Sequence, residues 1–172
     1  MTVSDPDFDS FPLAAKGRGY EDFEPGTVIG HHWGRTLTDA DNVAFSVATC
    51  AWLPMHLNAE FARADGHRGA VLNPMLVLNV AVGLSVEDLS EAGGPFLGLD
   101  DCVFHGPVFA GDTITARSCV LSKRMSGSRP GVGIVTWRTE AFNQRDELVL
   151  ACLRTNLVRT RELLGRSSGR LG

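Results

Sequence analysis

The sequence predicts an α+β fold in which an antiparallel sheet wraps around one long buried helix. Two observations lead to this prediction: residues 74–89 are apolar almost all round, and four strand-like segments follow them. A helix that is apolar on every side has to be covered by other structure, because no face of it suits water. The segments after it are separated by turn residues, and the last two are joined by a hairpin-length connection, which favours antiparallel pairing.

The composition fits a single folded unit with its own hydrophobic core. The chain has 172 residues, of which 44% are hydrophobic and 21% are charged. A chain of this size buries enough apolar surface to fold without disulfides or metals. Residues 1–19 and 163–172 lack hydrophobic periodicity, so we expect them to be flexible. The folded domain is predicted at 20–162.

Charge, apolar segment lengths and cysteine spacing exclude several classes of protein. The formal net charge is −4 and the 16 Lys and Arg residues are scattered, so neither nucleic acid nor a membrane is expected as a partner. No apolar stretch reaches membrane-spanning length, and the acidic N-terminus does not resemble a signal peptide. The four cysteines are far apart in sequence. Their spacing suits neither zinc nor disulfides, which favours reduced thiols in the cytoplasm.

The first half of the chain contains a predicted strand and three predicted helices. Residues 27–37 have the composition of a strand. Thr38 and the acidic residues after it predict the N-cap and first turn of a helix at 39–49. A short helix is expected at about 58–64, ahead of the long apolar helix at 74–89.

Four further strands are predicted after the long helix, because apolar alternation or apolar runs end at Gly, Pro, Asn and Asp. They lie at 96–104, 112–125, 132–143 and 148–158.

His56 is the candidate catalytic residue, because it lies at a loop-to-helix junction that Pro54 fixes. An imidazole titrates near neutral pH and can take up and release protons during a reaction. The residues alone leave a structural role open, in which the ring caps the following helix.

The other histidines do not indicate a metal site. His31, His32 and His105 are not in a metal-ligand spacing. Alternation along a strand sends His31 and His32 to opposite faces of the sheet. We therefore predict no metal.

Several short segments match the motifs of one protein family in order and spacing. They are Tyr20–Gly26, Arg35–Asp41, Pro54–His56 and Pro107–Thr113. The last of them fits the turn P-V-x-x-G-D-T, and with the others it resembles the MaoC-like hydratases and dehydratases, which have the hotdog fold. The segments at 129–136 and 142–149 resemble the branch of mesaconyl- and itaconyl-type CoA hydratases. The resemblance covers about residues 20–159.

The resemblance implies a catalytic dyad of which this chain keeps half. Family hydratases use a D-x-N-P-hydrophobe-H motif whose Asp and His share a water, since one group takes a proton while the other delivers or holds one. His56 stands at the His position and Pro54 is kept, but Ala51 stands at the Asp position and Leu53 at the Asn position. A methyl group cannot accept a proton.

The resemblance also implies an oxyanion donor, usually a glycine N–H at the start of the central helix. Pro74 takes that position, and proline has no N–H. Loss of one such donor costs roughly 100- to 1,000-fold in turnover. The Asn73 side chain or the Met75 N–H are the predicted substitutes. By itself, Pro74 is also a favourable first residue of a helix, with Asn73 as its N-cap.

The family resemblance implies an enzyme that acts on an acyl thioester, with coenzyme A or pantetheine as part of the substrate and no separate cofactor. It also implies a homodimer or higher homo-oligomer, because hotdog sites generally form between two subunits. Hydratase or dehydratase chemistry is predicted, with His56 and Asn73 as the catalytic residues. The residues predicted to contact the substrate are Ala51, Trp52, Asn58, Pro74, Met75 and Arg129.

Two other functions remain open. An enzyme that kept the pocket and lost hydration would catalyse a cyclisation, a pericyclic reaction or an isomerisation, which needs shape and a few polar contacts. Ala51 and Pro74 favour that alternative. The other is a non-catalytic hotdog subunit. Trp52 fits either a flat wall for an acyl group or a dimer interface.

Overall fold

Five strands and six helices make up residues 17–168, the part of the chain that the computed structural model describes. The strands are β1 (Val28–Thr36), β2 (Phe96–Phe104), β3 (Thr113–Met125), β4 (Val132–Phe142) and β5 (Leu148–Arg159). The helices are α1 (Asp39–Ala48), α2 (Pro54–Leu57), α3 (Ala59–Ala64), α4 (Pro74–Leu84), α5 (Val86–Leu89) and α6 (Arg161–Ser168).

The strands form one sheet in the order β1-β3-β4-β5-β2, and every neighbouring pair is antiparallel. β3, β4 and β5 follow one another as a meander, while β1 and β2 form the two edges. The prediction of an antiparallel sheet is confirmed. Each observed strand begins and ends within one residue of its predicted bounds.

Helix α4 packs against β1, β3 and β4, and its apolar side chains form the main core with them. Its buried residues are Leu76, Val77, Leu78, Val80 and Ala81. One stripe of the helix is not covered within this chain, because Met75, Asn79 and Gly83 are exposed. These three residues are four apart, so they share one face that the sheet of this chain does not reach.

The long helix predicted at 74–89 is interrupted at Ser85, which separates α4 from α5. Ser85 is buried, and its hydroxyl donates to Val82 O at 2.6 Å. The buried Arg154 of β5 donates to Ser85 Oγ at 2.5 Å and to Ser90 Oγ at 2.8 Å. The bend is therefore anchored to the sheet by a residue far away in sequence.

The C-terminal segment predicted to be flexible from residue 163 is helical as far as Ser168. Thr160 begins this helix, because its carbonyl accepts from Leu164 N–H at 3.0 Å. The Arg161 N–H donates to Glu21 Oε2 at 3.0 Å, and its guanidinium pairs with Asp22. These contacts attach α6 to the 3-10 turn Tyr20–Asp22, which precedes β1. Residues 1–16 and 169–172, also predicted to be flexible, lie outside the described residues.

A network of polar side chains, most of them buried, runs from α5 across β1, β3 and β4. His31 Nδ1 bonds Asp88 Oδ2 at 2.8 Å, and His31 Nε2 bonds Ser118 Oγ at 2.8 Å. Ser118 Oγ in turn bonds Thr139 Oγ1 at 2.8 Å. His32 is exposed, so the predicted alternation of the two histidines is confirmed. The network ties α5 to the sheet from the inside.

Within residues 17–168, no helix combines the length and the apolar composition needed to cross a membrane.

The pH dependence of stability is expected to report on His31. Burial lowers the pKa of His31 below its ordinary value of 6.5, although the Asp88 carboxylate opposes the shift. Below pH 6.5 the unfolded chain therefore binds this proton more readily than the folded chain, so the free energy of unfolding falls. His31→Gln should reduce that fall. Urea unfolding above and below this pH measures it.

His32→Gln is the matched control, because His32 is the exposed neighbour on the same strand and should leave the pH dependence as in the wild type. An unchanged pH dependence in His31→Gln would contradict the assignment.

Candidate active site

A cavity of about 360 Å³ opens where α2, the start of α4 and the end of β2 meet. Its lining is mostly apolar and contains no carboxylate. The lining residues are His56, Val71, Leu72, Pro74, Val77, Phe104, His105, Gly106, Pro107, Val108 and Val149. A cavity of this size and polarity suits a small organic group better than a charged one.

His56 lies on the short helix α2 and is partly buried against the cavity. Its Nδ1 is 2.9 Å from Val71 O. A carbonyl oxygen only accepts hydrogen bonds, so Nδ1 carries the proton, and the neutral ring keeps its lone pair on Nε2. This bond fixes both the tautomer and the orientation of the imidazole, as a general base requires.

Asn42 of α1 is buried and connects the segments that form the site. Its Nδ2 donates to His56 O at 2.7 Å, and its Oδ1 accepts from Asn73 N–H at 2.8 Å. A longer contact of 3.4 Å joins Nδ2 to Val71 O. One amide side chain therefore holds the α2 helix, the strand-like segment at Val71 and the start of α4 together.

The start of α4 offers no free N–H to a ligand. Pro74 lines the cavity as the first residue of the helix and has no N–H. Asn73 Oδ1 accepts from Met75 N–H at 3.0 Å, so the two groups predicted to polarise a carbonyl bind each other. Asn73 O accepts from the next two N–H groups, those of Leu76 and Val77. In this geometry Asn73 acts as the N-cap.

Another wall of the cavity is the segment from Phe104 to Val108, directly before the family turn. His105 N–H donates to Val149 O at 2.9 Å, which continues the pairing of β2 with β5. Among the described residues, the Gly106 N–H has no hydrogen-bond acceptor. Sequence analysis missed both residues as part of the site, although their position just before the turn at Pro107 was the available signal.

Asp112 stabilises the turn that follows the wall from Phe104 to Val108. Its Oδ2 accepts from Phe109 N–H at 2.9 Å, as predicted for a turn residue, and Arg68 and Gln144 also donate to the carboxylate. Burial by itself would raise the pKa of Asp112. The hydrogen bonds from Gln144, Phe109 N–H and Arg68 outweigh burial and hold the pKa below its ordinary value. Asp112 is therefore charged at neutral pH and keeps the turn closed.

Several residues predicted to contact the substrate do not line the cavity. Ala51 and Trp52 belong to the loop before α2, and the Trp52 side chain is largely exposed. Asn58 Oδ1 caps α3, where it accepts from the N–H groups of Glu60 and Phe61.

Arg129 lies in the turn between β3 and β4, at the opposite end of β4 from the cavity. The eleven residues of β4 separate Arg129 from the cavity by roughly 35 Å. Within one copy of the chain, Arg129 therefore does not contact a ligand that sits beside His56. Of the predicted site residues, the cavity brings together His56 and Pro74.

No group of three or more His, Cys, Asp or Glu side chains in residues 17–168 is arranged to hold a metal ion.

A helix held against a five-stranded antiparallel sheet, with a histidine site at the start of that helix, defines a MaoC-like hotdog protein. One solved structure with this fold is a putative MaoC domain dehydratase from Chloroflexus aurantiacus. It has a TM-score of 0.79 and 29% identity over 84% of this chain and 41% of that chain. Another is a Mycobacterium tuberculosis protein with a double hotdog fold, with a TM-score of 0.77 and 26% identity over 84% of this chain and 44% of that one.

The chain belongs to the mesaconyl-CoA hydratase family, whose model matches residues 8–172. A mesaconyl-CoA hydratase from Haloarcula marismortui is 36% identical over 158 residues, which are 91% of this chain and 44% of the relative. A beta-methylmalyl-CoA dehydratase from Chloroflexus aurantiacus is 30% identical over 146 residues, or 85% of this chain and 41% of that protein. The chain therefore spans less than half the length of these relatives.

Removal of the Asn42 amide should destabilise the site and the fold together. Asn42→Ala leaves the Asn73 N–H and the His56 carbonyl without their partner. A buried N–H and a partly buried carbonyl left unpaired together cost about 2–4 kcal/mol of unfolding free energy, which urea denaturation measures.

Asn79→Ala is the control for Asn42→Ala, because Asn79 is an exposed asparagine whose Nδ2 donates to Met75 O on its own helix. It should change stability by less than about 1 kcal/mol. Equal effects of the two substitutions would contradict the connecting role of Asn42.

Proposed function

We propose that the chain catalyses the reversible addition of water to an α,β-unsaturated acyl-CoA thioester, with His56 as the acid/base. The observation that carries this proposal is the fixed tautomer of His56, which leaves the Nε2 lone pair for a proton. The site adjoins an apolar cavity, as a small acyl group requires. The names of the relatives support the hydratase class and a CoA thioester substrate.

In the hydration direction, His56 Nε2 takes a proton from water while the hydroxyl adds to the β-carbon. The C=C electron pair moves toward the thioester carbonyl, which becomes an enolate, and the α-carbon then accepts a proton. Dehydration is the reverse of these steps.

The uncommitted Gly106 N–H is the backbone donor that we assign to the thioester oxygen. It belongs to the wall from Phe104 to Val108, whereas the N–H groups at the start of α4 are already bonded. A donor to the developing oxyanion lowers the barrier because its bond strengthens as charge accumulates. Coenzyme A or pantetheine enters as part of the substrate, and the proposed chemistry needs no other cofactor. The four free cysteines support a reducing, cytoplasmic location.

His56→Gln should lower kcat for hydration by at least about 100-fold, since glutamine cannot take the proton. The measurement is the loss of absorbance of conjugated enoyl-CoA thioesters, tested as a panel of acyl groups. His32→Gln, at an exposed site away from the cavity, serves as the control and should keep wild-type turnover. If His56→Gln hydrates as fast as the wild type, His56 is not the acid/base.

The proposal includes a homodimer formed along β2. This edge strand pairs with β5 on one side, and no other strand of the described residues lies on its second side. It carries the half-exposed apolar side chains of Phe96, Leu97 and Val103, and an apolar unpaired edge favours pairing with another strand. The solved double hotdog structure is consistent with two such units side by side.

Leu97→Lys should shift the purified chain from dimer to monomer, because a charge in the paired edge opposes association. Sedimentation at several protein concentrations measures this shift. Val28→Lys is the control, since Val28 is an exposed apolar residue on the other edge strand. A monomeric wild type, or a dimer that Leu97→Lys leaves intact, contradicts the β2 interface.

A second candidate function is an isomerase or cyclase that has lost hydration. It is favoured by the cavity lining, which contains no carboxylate, and by Pro74 at the helix start. The enoyl-CoA panel separates the two functions: this candidate requires that the wild type add water to none of the thioesters.

A further inference from the structure

The cavity contains a second imidazole. Its lining includes His105 as well as His56, and the other lining residues have no side chain that titrates. Hydration needs two proton-handling groups, since one takes the proton of water and another supplies the proton to the α-carbon. The segment that would carry a carboxylate has Ala51, which does not line the cavity.

The backbone of His105 is fixed by a hydrogen bond, and the residue lines two neighbouring cavities. Its N–H donates to Val149 O at 2.9 Å, directly after β2 ends. It also lines a neighbouring cavity of about 400 Å³ that includes Asp101 and Arg138. His105 itself is exposed in the single chain, so its ring is in contact with solvent there. Among the described residues, no hydrogen bond to its ring occupies either nitrogen, so the imidazole is free to carry a proton.

We propose that His105, which lines the same cavity as His56, is the second catalytic residue of this site and acts as the proton donor to the α-carbon. The assignment rests on the proposed hydration. It differs from the Asp and His pair implied by the family motif, because both groups are histidines and they lie on different walls of the cavity. His56 belongs to α2, while His105 follows β2.

The proposed hydration moves two protons, one from water to His56 and one from His105 to the α-carbon. In hydration, neutral His56 accepts a proton from water, the hydroxyl oxygen bonds to the β-carbon, and the C=C electron pair moves onto the thioester carbonyl. Protonated His105 then gives its N–H proton to the α-carbon as the carbonyl re-forms. The enzyme is left with His56 protonated and His105 neutral. His56 releases its proton to solvent, and His105 regains one from solvent.

The position of His105 suits a donor better than a base. Solvent access allows it to be reprotonated after each turnover, whereas His56 has Nδ1 committed to Val71 O and offers a lone pair. The charged groups that face His105 from the outer cavity are Asp101 and Arg138, with His56 on the inner side. The adjacent Gly106 N–H would hold the thioester oxygen next to the carbon that His105 protonates.

The test compares His105→Gln and His105→Glu with the wild type in the hydration assay, across a range of pH. His105→Gln should lower kcat by about 100-fold or more and should lose the alkaline limb of the pH profile, where a donor must still be protonated. Glutamate has the same size as glutamine and retains an acid, so His105→Glu should keep more activity than His105→Gln below neutral pH. Its alkaline limb should move to lower pH.

His32→Gln is the matched control and should keep both limbs of the profile. Circular dichroism and thermal unfolding of each variant show whether the fold is intact, and His105→Glu provides the test if His105→Gln does not fold. If His105→Gln keeps the wild-type kcat, or loses activity while both limbs remain, the donor role of His105 is overturned and the hydratase function stands. A wild type that hydrates no thioester overturns both.

Discussion

The site depends on one buried amide, that of Asn42. It bonds the carbonyl of His56 and the N–H of Asn73, and so it fixes the distance between α2, which carries His56, and the start of α4. These two helices are short or begin at proline, and neither would hold its position through its own hydrogen bonds. Because α1 supplies the amide, the position of the His56 ring depends on a helix that contributes no residue to the cavity lining.

Two groups that the family motif supplies are missing from this chain: the carboxylate of the histidine motif and an N–H at the start of α4, which is closed by Asn73 and Pro74. The wall from His105 to Val108 carries an imidazole and an N–H that has no acceptor among the described residues. Our proposals for His105 and Gly106 assign the two missing functions to this wall.

The sequence predicted the elements that local pattern determines. Strand bounds followed from alternation and turn residues, and the N-cap at Thr38 was read from its acidic neighbours. The break at Ser85 was not predictable, because the side chain that anchors it, Arg154 on β5, is far away in sequence. The sequence predicted a flexible segment in place of α6, because the residues that anchor this helix, Glu21 and Asp22, lie near the other end of the described chain. His105 was missed for the same reason: its place in the cavity depends on the pairing of β2 with β5.

The attachment of α6 to the turn before β1 has a consequence for chain connectivity. Arg161 bonds Glu21 and Asp22, so the described domain ends beside the place where it begins. A domain whose ends are adjacent tolerates circular permutation and insertion, because a short linker can close the gap without crossing the sheet. The same adjacency lets two such domains be joined in tandem, with each sheet complete before the next one starts.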